Sequence, residues 1–130
     1  MAKKADPKLL KAVQRGDLAA LRAALDAGEP PEACDRHGAT LLQLAAGAGQ
    51  LEALDLLLEK GASPDNSDDA GNTPLMLAAA RGQPEAAKRL LAAGADPRLA
   101  NRWGMGARDW GKWPKNADEI DALLVAALDA

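Results

Sequence analysis

The chain's 130 residues suit one domain, and 48% hydrophobic with 27% charged residues is an ordinary globular balance. Its 31 Ala and 21 Leu stand against three β-branched aliphatics (Val13, Ile120, Val125), two Thr and no Tyr or Phe; strands have little to be made of, and an all-α protein is predicted. A net charge of −3 argues against a nucleic-acid module, the single Cys34 and single His37 exclude a disulfide scaffold or structural zinc, and no uncharged stretch approaches the ~18 residues of a membrane span. The basic N-terminus, Met1 to Pro7, is followed by no apolar export signal, so a cytoplasmic protein is expected, and nothing argues for a cofactor.

The predicted elements follow a period of 33 residues. Gly16, Gly49 and Gly82 obey it, as do Gly28, Gly61 and Gly94, and Gly38, Gly71 and Gly104, which together are nine of the 12 glycines. Leu42 and Leu75, Thr40 and Thr73, and the pairs Leu57-Leu58, Leu90-Leu91 and Leu123-Leu124 keep the same spacing, the signature of a stacked helical repeat.

The first unit, 6–34, lacks an opening turn but keeps Leu9, Ala12, Leu18 and Leu21, with Asp17 as candidate N-cap of its second helix. The unit 35–67 opens on the polar turn Asp35-Arg36-His37-Gly38, and 68–100 on Asp68-Asp69-Ala70-Gly71, with Asp at the first position. Gly49 and Gly82 separate two helical patterns, Pro84 suits a first helical position, and Gly61 and Gly94 sit where a helix ends on a left-handed residue. The last unit, 101–130, opens on Asn101-Arg102-Trp103-Gly104. Its second helix restarts on Asn116-Ala117-Asp118-Glu119, a capping-box spacing, and is expected to bury Ile120, Leu123, Leu124 and Leu128.

The run Asp68 to Gly82, with Asn72-Thr73-Pro74-Leu75 at its centre, followed by Leu90-Leu91-Ala92-Ala93-Gly94-Ala95-Asp96, resembles the ankyrin repeat nearly column for column. Asp35 to Ser63 is similar, with Leu41 where the family has Pro and Gln43 where it usually has His. The resemblance spans roughly residues 7 to 128. It implies an all-α ankyrin-repeat solenoid of about four helix-turn-helix units joined by β-turn or hairpin loops, with 6–34 an N-terminal cap and 101–130 a divergent C-terminal cap. In that last unit Gly106 stands where the family's Thr would cap the first helix, Arg108 where a core Leu is expected, and Pro114 near the helix end.

A repeat stack encloses no catalytic cleft and offers an extended face to other macromolecules. The resemblance implies non-catalytic protein binding through the turn tips and the outward side of each first helix. Carried over position by position, it marks Arg36, His37 and Ala39; Asp69, Ala70 and Asn72; and Arg102, Trp103 and Met105 on the tips. On the first helices it marks Gln14, Arg15, Gly47, Ala48, Ala80, Arg81, Lys112 and Trp113. Tryptophan and arginine dominate binding energy at interfaces, which singles out Trp103, Trp113, Arg102, Arg81 and Arg36, and arginines on one face favour a partner with an acidic surface.

Trp110 shares a column with Leu44 and Leu77 and is expected in the core of the C-terminal cap. Glu52, Asp55 and Glu59 are expected on a solvated convex side. A Cys34–His37 nucleophile is the enzymatic alternative, opposed by the lack of any oxyanion arrangement. Self-association through Trp103, Met105 and Trp113 is the other alternative, with a monomer favoured. The Ala/Leu/Arg/Gly-rich composition suggests a GC-rich bacterial source, where related small ankyrin proteins include neutralisers of a neighbouring enzyme or toxin.

Overall fold

The computed structural model describes residues 4–129. Eight helices run in chain order: α1 Pro7–Arg15, α2 Leu18–Asp26, α3 Leu41–Ala48, α4 Leu51–Glu59, α5 Pro74–Ala80, α6 Pro84–Ala92, α7 Ala107–Trp110 and α8 Ala117–Asp129. They form two rows. The first helices α1, α3, α5 and α7 pack side by side, and so do the second helices α2, α4, α6 and α8, each pair closing on itself.

Residue size sets the spacing of the rows. Where α3 and α5 meet, the buried residues include Ala45, Ala46 and Gly47 from one and Ala78 and Ala79 from the other, so the backbones approach closely. The second row is spaced by Leu54, Leu56 and Leu57 of α4 and Leu90 of α6. Small residues on one side and leucines on the other let the first helices pack more closely than the second, which places the first helices on the inner side of a repeat stack.

Local chemistry starts and stops these helices as the pattern predicts. Asp6 and Asp17 cap α1 and α2, accepting from the backbone N–H of Lys8 and Ala20 at 2.8 and 3.1 Å. Thr40 closes a capping box with Gln43, whose Oε1 accepts the Thr40 N–H at 3.0 Å while Thr40 Oγ1 accepts the Gln43 N–H at 3.1 Å. The nine glycines on the 33-residue period are the nine with positive φ among the described residues. At Gly49 φ is +69°, the left-handed region that favours glycine.

The last repeat departs from the pattern. Gly106 has no hydroxyl to offer, so only half of a capping box forms, Asp109 Oδ2 accepting the Gly106 N–H at 2.8 Å, and α7 is a single turn. Gly111 then leaves room for Ile120, whose Cγ2 would stand 2.8 Å from any Cβ there. In α8 Ile120 and Leu124 are buried, but Leu123 and Leu128 are only partly so, a correction to the expected set. No further repeat among the described residues covers this side, and the seam follows an i, i+4 line. Asn116 donates its amide to the Gly82 carbonyl at 3.0 Å, tying the restart of the chain to the preceding unit.

Candidate binding face

Three turn tips are built identically. Asp35 Oδ1 accepts the N–H groups of His37 and Ala39 at 2.8 and 3.0 Å, Asp68 Oδ1 those of Ala70 and Asn72 at 2.9 and 3.0 Å, and Asn101 Oδ1 those of Trp103 and Met105 at 2.9 and 3.0 Å. A side chain that holds the backbone donors two and four residues on fixes the loop without a sheet. Neighbouring tips are joined through backbone, the Asp69 N–H reaching the His37 carbonyl at 3.3 Å and the Arg102 N–H the Ala70 carbonyl at 2.9 Å.

Side-chain amides complete the ladder. Asn101 Nδ2 donates to Asn72 Oδ1 at 2.9 Å, Asn72 Nδ2 to Asp68 Oδ2 at 3.2 Å, and Gln43 Nε2 to the Asn72 carbonyl at 2.9 Å. Both ends of the Asn72 amide are thus engaged in ordering the tips. Gln43, in place of the usual His, serves both its own helix cap and the next tip.

The remaining tip residues project outward. Arg36, His37, Asp69 and Arg102 are exposed, Met105 is half-buried, and Trp103 is 66% exposed with the Arg102 guanidinium 5.0 Å from its ring centroid. Trp113 is 80% exposed, beyond the end of α7. On the first helices Gln14, Arg15, Ala48, Arg81 and Lys112 are exposed and Ala80 is half-buried, but Gly47 is buried, a correction to its place among the contact positions. Its α-carbon faces the neighbouring helix, where a Cβ would meet Leu77 Cβ at 3.7 Å and Arg81 Cγ at 3.8 Å.

Ion pairs join several residues of the second helices. On or beside the second helices Lys60 pairs with Asp26, Lys88 with Glu85 and Arg89 with Asp55, so the acidic residue Asp55 is matched by the next repeat. Arg36, Arg81 and Arg102 have no carboxylate partner among the described residues. Arg36 Nε donates instead to His37 Nε2 at 3.3 Å.

Between the tips and the first helices lies a cavity of about 230 Å³. Leu44, Met76, Leu77 and Ala80 form its apolar part and Trp110 lines it as well. Gln43, Asp68 and Asn72 contribute its polar lining, together with Arg81. Trp110 packs against the core as its column predicts, but it, Leu44 and Leu77 are only partly buried. The apolar spacing identifies this column; it does not reveal that the column is left uncovered. The Trp110 indole N–H is shut off from solvent without an acceptor.

The thiol and imidazole considered for catalysis are separated by burial: Cys34 is 2% exposed beneath the turn, whereas His37 is on the tip. No group of three or more His, Cys, Asp or Glu among the described residues is arranged to hold a metal ion, and no helix there is long and apolar enough to cross a membrane. A family model described as ankyrin repeats in three copies matches residues 9–101. No curated protein matches the chain.

Proposed function

We propose that this chain, which belongs to the ankyrin-repeat family, binds a partner protein without catalysing a reaction and inhibits or neutralises it by occupying its surface. Ankyrin repeats are in general protein–protein interaction modules. The observation that carries the reading is the set of three cations without a carboxylate partner, Arg36, Arg81 and Arg102, on the side that also exposes Trp103, against one exposed tip carboxylate, Asp69. Such a face steers an acidic protein surface and anchors it through the aromatic ring. Residues 35–67 and 68–100 supply the full repeats, and 6–34 and 101–130 cap them. The setting is the cytoplasm, in keeping with a sequence whose one cysteine has no second thiol for an intramolecular disulfide.

The test is affinity capture from a lysate of the source cells, wild type against a Trp103→Ala/Arg81→Ala double variant, with mass spectrometry of the retained proteins. Both side chains are exposed, so the variant should keep its helicity. A protein retained by wild type and lost by the folded variant supports the reading; equal retention removes the site from this face.

A second reading rests on Trp103 and Trp113, 66% and 80% exposed, as a self-association surface. Light scattering separates the two: a monomer at micromolar concentration leaves heterologous binding, and a dimer lost in the Trp113→Ala variant favours self-association.

A further inference from the structure

The cavity beside α5 has unequal walls. Its tip side is chemically spent: Asp68 accepts from the Ala70, Asn72 and Gln43 donors and from the Asn72 amide, and the Asn72 amide is itself bonded by Asn101. What remains for a visitor is the apolar surface of Leu44, Leu77 and Trp110, whose indole N–H is shut off from solvent, and the exposed Arg81 guanidinium.

Size narrows the occupant further. An engineered cavity of about 150 Å³ takes a benzene ring, and small-molecule sites usually start at about 300 Å³. A cavity of about 230 Å³ lies between, the size of one large side chain.

From these walls we infer that the cavity receives a single large apolar side chain, preferably aromatic, from an acidic segment of the partner. A carboxylate next to that side chain pairs with Arg81, and further carboxylates on the same segment face Arg36 and Arg102 on the tips. The partner's recognition element is therefore an apolar anchor flanked by acids. This rests on the reading of the inner face as the binding surface and adds to it the chemistry of what binds there. Charge complementarity selects the segment: three arginines lack carboxylates, one at the cavity and two along the tips, and outnumber the one exposed tip carboxylate, Asp69, while Lys112 is matched by Asp109 at 3.8 Å.

The three indole N–H groups of Trp103, Trp110 and Trp113 give three reporters in a nitrogen–proton correlation spectrum of the labelled protein, and Trp110 is the one in the cavity. The probe is a blocked pentapeptide with a central phenylalanine flanked by acidic residues. It should shift the Trp110 indole signal saturably. Replacing its phenylalanine by alanine should abolish that shift, and replacing its acids by lysines should weaken binding at least about tenfold, equivalent to about 1.4 kcal/mol. Arg81→Glu should weaken the acidic probe about tenfold as well, with an unchanged melting curve.

A Trp110 signal unmoved at millimolar probe overturns the inference, and so does equal binding of the lysine peptide. Saturation by free 3-phenylpropionate at the same concentration as the peptide also overturns it, making the cavity a small-molecule site. Shifts at Trp103 and the tips without Trp110 sink the cavity inference alone and leave the inner face as the binding surface, which the capture experiment decides separately.

Discussion

Arg108 holds Asp121 across the outer side of the last repeat, Nε donating to Oδ1 at 2.8 Å and a terminal guanidinium nitrogen to Oδ2 at 3.2 Å. The corresponding positions one and two repeats earlier are Leu75 and Leu42, each 1% exposed in the core. Where the inner repeats bury a leucine against the next unit, the last presents a charged pair to water, and the stack ends on a polar surface.

The hydrogen bond from Arg108 holds the Asp121 carboxyl below its usual 3.8. A carboxylate lowered by folding contributes stability above its unfolded pKa and loses it as pH falls through the folded value. Asp121→Asn should therefore melt slightly below wild type near about pH 7, and the gap should close below about pH 4. The effect is small because the two side chains are about half exposed. Thermal melts of both proteins across this range check it; a deficit independent of pH would show that charge plays no part.

Gly71 stands at φ +84°, and a Cβ there would lie 3.3 Å from the Asn101 Cα of the next tip. Gly71→Val should cost about 1–3 kcal/mol through strain in the left-handed region, before any displacement of the neighbouring turn. An unchanged denaturation midpoint would mean that the turn does not depend on this conformation.

Gly71 also illustrates what the sequence makes legible. Positive φ at a fixed position in every repeat demands glycine, so spacing alone locates the turns and the ends of α1, α3 and α5. Thr40, Thr73, Asp17 and Pro84 mark helix starts by equally local chemistry. The face is less legible. Leu44, Leu77 and Trp110 form an apolar column, and apolar spacing says which residues avoid water but not whether a neighbour is large enough to cover them. Ala80 is too small to do so. Asn72 reads as a contact residue until Asn101 and Asp68 are found on its amide, pairings that span 29 and four residues of sequence. The one-turn α7 follows from Gly106, yet its length depends on how Ile120 seats against Gly111.

Gly47 lies inside α3 with ordinary helical backbone, and a Cβ would make normal contacts, 3.7 Å to Leu77 and 3.8 Å to Arg81. Gly47→Ala should raise stability by about 0.5–1 kcal/mol, since alanine loses less backbone entropy and meets no clash. A lower melting temperature would show that α3 and α5 need the closer approach only glycine permits.

Trp103 offers the sharpest separation of folding from function. Its backbone N–H is held by Asn101, which needs nothing from the indole, and the ring's recorded partner is Arg102, an exposed cation–π contact worth about 0.5–1 kcal/mol at most. Trp103→Ala should leave helicity and the melting curve nearly unchanged. Tryptophan and arginine are enriched among the interface residues whose truncation is costly, so on the proposed binding face loss of partner affinity by about 2 kcal/mol or more is expected in calorimetric titration. If the variant instead lost stability while binding as before, the ring would belong to the packing of the tips, and the energetic centre of the face would shift to Arg81 and the cavity beside it.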